Sequence, residues 1–197
     1  MPLVKAVGNM YQFITMTWNP IRGKCYYREM CGYCYVPHTR AAKYYEGEPH
    51  LVEKELKVNL GSGNKIFVGS MIDMWADEIP TEWIKRILEH CSKYPDNEYL
   101  FQSKNPIQFR NLLIWEKIPP KILLATTIET TNQECVDRLI RLAGLHKYKT
   151  IVVLEPIKKF DILKMQKWFE YIRPSFIVIG ADSKGHGLSE PTESEIV

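Results

Sequence analysis

The sequence predicts an α/β fold: a parallel six-stranded sheet with outer helices, curled into an open, partial (β/α)6 barrel of the TIM-like kind. Three observations carry this. Six short runs rich in Val, Ile, Phe and Thr recur along the 197 residues, and most are continuously apolar, the mark of strands covered on both faces. Amphipathic segments of helix length separate them, which makes a β/α repeat and a parallel sheet that right-handed crossovers curl toward a barrel. Six units fall short of the eight that close a barrel of about 250 residues. The barrel is therefore read as open, with an open doubly wound sheet as the runner-up.

The elements follow in order. The strands are Phe13–Thr17, Lys65–Ser70, Tyr99–Gln102, Ile122–Thr127, Thr150–Leu154 and Phe176–Gly180. A helix begins at Thr81 after Pro80, with Ile84, Ile87 and Leu88 on its apolar face. A second runs over Thr131–Leu142 with Val136, Leu139 and Ile140 on one face, and a third over Asp161–Ile172 with Ile162, Met165, Trp168 and Phe169. Asp161 is placed as an N-cap, because a short carboxylate there satisfies a free backbone N–H. Thr39–Tyr45, Leu51–Asn59 and Asn105–Leu113 are further helical segments. All of 1–197 reads as one domain, with an irregular, polar tail from about residue 185.

Composition narrows the function classes. Apolar residues make up 45% and charged residues 25% of the chain, ordinary for a globular protein. No run of about 18 apolar residues predicts a membrane span, and the start, Met1-Pro2-Leu3-Val4-Lys5, lacks the pattern of a secretory signal. A cytoplasmic protein without a membrane partner is expected. The net charge of +3 permits a nucleic-acid partner without arguing for one, since the basic residues form no dense stripe.

In such a fold the active site lies at the carboxyl ends of the strands. The residues there are polar: Trp18-Asn19-Pro20, Met71-Ile72-Asp73, Ser103-Lys104-Asn105, Glu129-Thr130, Glu155-Pro156 and Asp182-Ser183-Lys184. Glu155 directly follows the apolar run Ile151–Leu154, where a carboxylate is costly to bury without a partner. Trp18 and Asn19 are candidates to line the pocket, and Trp75 divides evenly between pocket and core.

Three of the five cysteines fall in the loop after the first strand, as Cys25-Tyr26-Tyr27-Arg28-Glu29-Met30-Cys31-Gly32-Tyr33-Cys34. Cys91 and Cys135 sit in helical patterns as small core residues. Clustered thiols in a reducing compartment bind metal or do chemistry more often than they form disulfides. Soft thiolates select zinc, copper(I) or iron–sulfur clusters. Three thiolates on an iron–sulfur cluster leave one iron open to another ligand, whereas His38 would complete a Cys3His zinc site. Buried, unligated thiols are the third reading.

This three-cysteine loop resembles that of the radical SAM superfamily, which usually has three residues in the first gap where this chain has five. The aromatic residue before the third cysteine is matched by Tyr33. The blocks Thr17-Trp18-Asn19-Pro20, Cys31-Gly32-Tyr33-Cys34-Tyr35, Phe67-Val68-Gly69-Ser70-Met71-Ile72-Asp73, Ser103-Lys104-Asn105-Pro106 and Gly180-Ala181-Asp182-Ser183 resemble, in the same order, those of a subgroup of phage and bacterial radical-SAM-like proteins of undefined function. Spore photoproduct lyase, a radical SAM enzyme of DNA repair, is a more distant resemblance.

The resemblance implies a [4Fe–4S] cluster on Cys25, Cys31 and Cys34, reductive cleavage of S-adenosylmethionine (SAM), and a reducing partner such as a flavodoxin or ferredoxin. It implies a nucleobase or nucleoside as substrate class. Tyr33 packs near the adenine. Gly69, Ser70 and Asp73 are expected to receive the SAM ammonium, with Asp73 dividing evenly between that role and a cap for the following turn; Ser103 and Lys104 are candidates for its carboxylate, Lys104 alternatively a solvated loop lysine, and Thr127 and Glu129 for its ribose, Thr127 alternatively a plain strand residue. Glu155 is a further ligand, and Asp182 with Ser183 meets adenine or substrate. The competing function is a zinc-stabilised β/α binding module without radical chemistry. The subgroup continues past the sixth strand with a further cysteine-bearing segment, whereas this sequence ends at Val197, so a relative that holds a cluster without turning over is a third expectation. The substrate itself and the oligomeric state are not read from the sequence.

Overall fold

The structure, a computed structural model, describes residues 3–6, 11–182 and 185–196. Ser183 and Lys184, singled out above, lie outside the described residues. In chain order the strands are β1 (Val4–Lys5), β2 (Met16–Trp18), β3 (Ile21–Arg22), β4 (His50–Leu51), β5 (Lys65–Val68), β6 (Glu98–Ser103), β7 (Ile122–Thr127), β8 (Lys149–Leu154) and β9 (Phe176–Ile179). The helices are α1 (Thr81–Ser92), α2 (Gln133–Ala143), α3 (Ile162–Ile172) and the single turn α4 (Glu193–Ile196).

All six expected strands are present, as β2, β5, β6, β7, β8 and β9, and they pair in parallel in chain order. Antiparallel β1 adds a seventh strand beside β2. β3 and β4 form a separate two-stranded ribbon that brackets the cysteine loop. Among the described residues the sheet does not close; β1 and β9 are its edges.

Side chains alternate across these strands, because successive Cβ atoms point to opposite faces. Ile66, Val68, Tyr99, Phe101, Ile122, Leu124, Val152 and Leu154 join one large core. Into that same core α1 sends Ile84, Ile87 and Leu88, α2 sends Cys135, Leu139 and Leu142, and α3 sends Met165 and Ile172. The intervening Phe67, Leu100, Leu123, Ala125, Ile151 and Val153 face the other way, under Ile14, Tyr11 and Phe13. The long helices thus cover a single face, which removes the doubly wound alternative. No helix among the described residues is long and apolar enough to cross a membrane.

Several local expectations are corrected. The first strand is the shorter β2, and Phe13 leaves the ladder to cap the inner face against Phe176. Thr39–Tyr45, Leu51–Asn59 and Asn105–Leu113 are not α-helices but 3-10 turns at Val36–His38, Ala42–Tyr44, Glu53–Lys57 and Pro106–Leu113, with Leu51 in β4. Segments this short gain too few intrahelical bonds to offset nucleation. Asp161 does cap α3, accepting from the Lys164 N–H at 3.1 Å, and Asn132 caps α2 through the Cys135 N–H at 2.9 Å. The buried stripe of α2 is Cys135, Arg138, Leu139 and Leu142, leaving Ile140 53% exposed. In α3, Ile162 is likewise exposed. Two stripes fit a 3.6-residue period in each helix, and the partners across the interface choose between them.

Candidate functional site

A cavity of about 550 Å³ opens at the carboxyl ends of the parallel strands, within the size range of small-molecule sites. Its wall is assembled from the loop after β2, the turns after β5 and β6, the end of β7, and the residues following β8 and β9. Cys25, Cys31 and Cys34 all line it, as do Tyr33, Gly69, Ser70, Asp73, Ser103, Lys104, Thr127, Glu155 and Asp182. Of the residues expected to bind the cofactors, Glu129 does not line it.

The turn after β5 is built around Gly69. Its φ of +76° is left-handed, and a Cβ there would stand 3.2 Å from the Ile72 carbonyl oxygen. Glycine meets both demands. Asp73 staples this turn to β6: it accepts from the Trp75 N–H, the Ser103 hydroxyl and the Lys104 N–H at 3.0, 3.0 and 2.8 Å. Burial pushes the Asp73 carboxyl up, and those donors oppose the shift. The Asp73 N–H in turn points at Cys25 Sγ, 3.4 Å away. Ser103 is fully engaged, since its oxygen also accepts from the Asn105 N–H at 2.8 Å. Ser70 pairs with Asn19 at 3.2 Å.

Lys104 donates to the Tyr33 oxygen at 2.6 Å and to Glu129. The Tyr33 hydroxyl donates to the same Glu129 oxygen. The other Glu129 oxygen receives Arg138 Nη1 at 3.1 Å. Burial pushes the Glu129 carboxyl up, but Lys104, Tyr33 and Arg138 outweigh it and hold it below the usual range. Burial and the neighbouring carboxylate keep Tyr33 a protonated phenol.

Deeper on the inner face lies a neutral polar row. Tyr11 donates to Gln102 Oε1 at 2.9 Å, and Gln102 Nε2 donates to Thr127 Oγ1 at 2.9 Å. Glu155 stands beside Tyr11, and burial raises its carboxyl. A Cβ on Gly180 would reach 2.8 Å from Glu155 Cγ, so that glycine makes the seat for this side chain. At the rim, Asp182 holds His186 Nδ1 at 2.7 Å.

Corrections and omissions are specific. Trp18 and Trp75 are fully buried on the helix-covered face, Trp18 against His90 and Trp75 against Phe101 and Phe109, and neither lines the cavity. Asn19 also stays out of the lining and accepts from the Met71 N–H at 3.0 Å. Gln102, Tyr11, Tyr35 and His186 line the cavity unforeseen. Gln102 had a signal: it is the polar last residue of an otherwise apolar predicted strand. Cys91 and Cys135 are buried, as expected.

Burial pushes Cys25 up to about 11, and burial likewise raises Cys31, with Lys104 opposing. Among the described residues no three His, Cys, Asp or Glu side chains converge as ligands of a single ion, the convergence a Cys3His zinc site requires. His38 instead packs its ring edge-on against His186, 6.1 Å between centroids. A cubane takes each thiolate on a separate iron, so its ligands line a space rather than meet at a point. Three thiols spread around one largely apolar cavity, one of them receiving a backbone N–H, fit that demand.

Comparison with solved structures finds the same fold. A double mutant of spore photoproduct lyase with bound AdoMet and dinucleoside spore photoproduct has a TM-score of 0.59 at 14% identity, covering 97% of this chain and 61% of that one. Spore photoproduct lyase complexed with dinucleoside spore photoproduct has a TM-score of 0.54 at 16% identity, covering 84% and 52%. A tyrosine-to-phenylalanine mutant of the same enzyme has a TM-score of 0.58 at 14% identity, covering 85% and 55%. The chain therefore spans between half and two thirds of the length of these proteins. No curated protein matches it. A family profile described as "Protein of unknown function (DUF5131)" matches residues 9–190.

Proposed function

Since the chain belongs to the DUF5131 family of proteins of unknown function, its activity must be argued from its own cavity, and we propose a radical SAM enzyme. Cys25, Cys31 and Cys34 hold a [4Fe–4S] cluster in a partial (β/α)6 barrel of one domain, and SAM occupies the rest of the cavity. The observation that carries this is the gathering of all three loop cysteines on the one cavity at the strand ends. The shared fold with an AdoMet-bound enzyme supports it. When bound, the cluster supplies one electron to the sulfonium of SAM and thereby a 5′-deoxyadenosyl radical.

The chain's own residues bind, orient and exclude water. Gly69 and Ser70 let the turn after β5 approach the ligand closely. The Asp73 N–H supports the Cys25 sulfur. Tyr33, tethered to Glu129 and Lys104, covers the cavity beside Cys31 and Cys34. Thr127, Gln102 and Glu155 offer hydrogen-bonding groups to a ribose or a base edge, and Tyr11, Phe67 and Tyr35 offer faces on which a ring packs. A nucleobase or nucleoside is the substrate class this lining suits. A flavodoxin- or ferredoxin-like donor in the cytoplasm supplies the electron, in keeping with the resemblance to phage and bacterial radical-SAM-like proteins.

Anaerobic reconstitution tests the proposal. Four irons and four sulfides per chain, a broad visible absorbance shoulder, and 5′-deoxyadenosine formed from SAM under a reductant are the expected results. Colourless protein that forms no 5′-deoxyadenosine rejects it.

A further inference from the structure

Arg138 lies on α2, on the helix-covered side of the sheet, and is 5% exposed. It occupies the buried stripe of that helix among Cys135, Leu139 and Leu142, where an arginine is out of place unless it is paired. Its Nη1 reaches two groups at the end of β7, the Thr127 carbonyl oxygen at 3.0 Å and Glu129 Oε2 at 3.1 Å. Nη2 binds Glu134 one turn back on the same helix.

The second oxygen of Glu129 faces the opposite way. It accepts from the Tyr33 hydroxyl and from Lys104. Lys104 and Lys158 each also hold an ammonium 5.2 Å from the centroid of the Tyr33 ring. Tyr33 sits between Cys31 and Cys34, and the backbone bonds of this stretch are local: Cys31 N–H to the Tyr27 carbonyl and Cys34 N–H to the Cys31 carbonyl. Side chains therefore carry the tether to the strand ends. The chain of contacts runs without a gap from Arg138 through Glu129 and Tyr33 to the loop.

We propose that Arg138 is a positioning residue for the Cys31–Cys34 stretch, acting through Glu129 and the Tyr33 hydroxyl to hold that stretch against the cavity. An ion pair serving stability alone would need Arg138 and Glu129, but not a carboxylate whose two oxygens serve opposite sides of the strand end. Without Arg138, one lone-pair side of Glu129 is freed to turn toward Lys104, and the Tyr33 hydroxyl loses its fixed acceptor.

The inference places ligands of the proposed centre, but its test needs no cluster. In metal-free, reduced protein, iodoacetamide alkylation of each cysteine is followed by peptide mass spectrometry. Arg138→Met is expected to speed alkylation of Cys31 and Cys34 roughly two- to tenfold, the range for losing one net hydrogen bond from a loop's closed state. Cys91, on the buried face of α1, stays protected, and Arg138→Lys recovers part of the effect. Unchanged rates at Cys31 and Cys34 with Cys91 protected overturn the proposal. If Arg138→Met exposes Cys91 and so unfolds the chain, Tyr33→Phe decides. It removes only the tethering hydroxyl, and unchanged rates there overturn the proposal equally. Faster alkylation in these variants, together with a wild-type protein that assembles no cluster, upholds the positioning role and rejects the cluster.

Discussion

The two faces of the sheet use the same strands for opposite purposes. On the helix-covered face, Val68, Phe101, Leu124 and Leu154 disappear beneath α1–α3 along with Trp18 and Trp75. On the inner face the alternating residues Phe67, Leu100, Leu123, Ala125, Ile151 and Val153 form a smaller apolar layer, and toward the carboxyl ends it gives way to Gln102, Thr127 and Glu155. Stability is concentrated on the first face. The second is left open at one end, at the cavity, and the loop there is held by a few side chains rather than by a ladder. Burial can thus be complete on one side of a strand while binding groups stand on the other.

Mutations on the two faces should therefore separate stability from ligand binding. The largest stability loss is expected from Phe101→Ala, which empties a fully buried site between Trp75 and the strands. It should cost about 3–5 kcal/mol, a fall in Tm of roughly 6–20 °C at the about 2–4 °C per kcal/mol typical of this size. Calorimetry checks it, and a loss below about 1 kcal/mol would undo the contrast between the faces. Glu129 serves both faces, and Glu129→Leu leaves Lys104 without its carboxylate and Arg138 with Glu134 as its remaining one. Breaking such a pair costs about 3–5 kcal/mol at the high end, but partial exposure of Lys104 should bring this somewhat below the Phe101 value.

His90 sharpens the comparison from the core side. Its ring packs on Trp18, one nitrogen meets the Val58 carbonyl at 2.8 Å, and burial holds its pKa below the ordinary 6.5. The unfolded chain then binds more protons as pH falls below 6.5, so stability is fully present above that pH and is lost below it. The fall in Tm between pH 7 and pH 5 should be smaller in His90→Gln, which keeps a donor for Val58. An equal fall in both proteins would remove His90 as the cause. Cys31→Ser is the smallest stability change, within about 1 kcal/mol for a polar loop position. It should nonetheless abolish retention of a full complement of iron, measured after anaerobic reconstitution. Full iron retention would exclude Cys31 as a ligand.

What was legible in the sequence was whatever short-range pattern controls. The apolar runs marked the six parallel strands, and Asp161 marked the start of α3 because a cap acts on residues three positions away. Strand-end polarity marked Lys104, Thr127 and Glu155 as cavity residues. The stripe of α2 was misread because Val136, Leu139 and Ile140 satisfy the helical period as well as the true set does, and it is Glu129 and the Thr127 carbonyl across the interface that make Arg138 the buried member. Trp18 and Trp75 were ambiguous for a similar reason. An aromatic at a strand end serves core or pocket according to which face it meets.

By itself, then, the sequence determined the order and type of the main elements and the presence of three thiols in one loop at the carboxyl end of the sheet, since periodicity and spacing are local properties of the chain. Tertiary structure alone decided that the helices share one face, that Asp73 and Ser103 staple the turns after β5 and β6 together, and that Glu129 stands between Arg138 and Tyr33. Those arrangements join residues distant in the chain. Which partner a buried charge finds depends on what packing brings within a hydrogen bond's reach, and no local pattern encodes that.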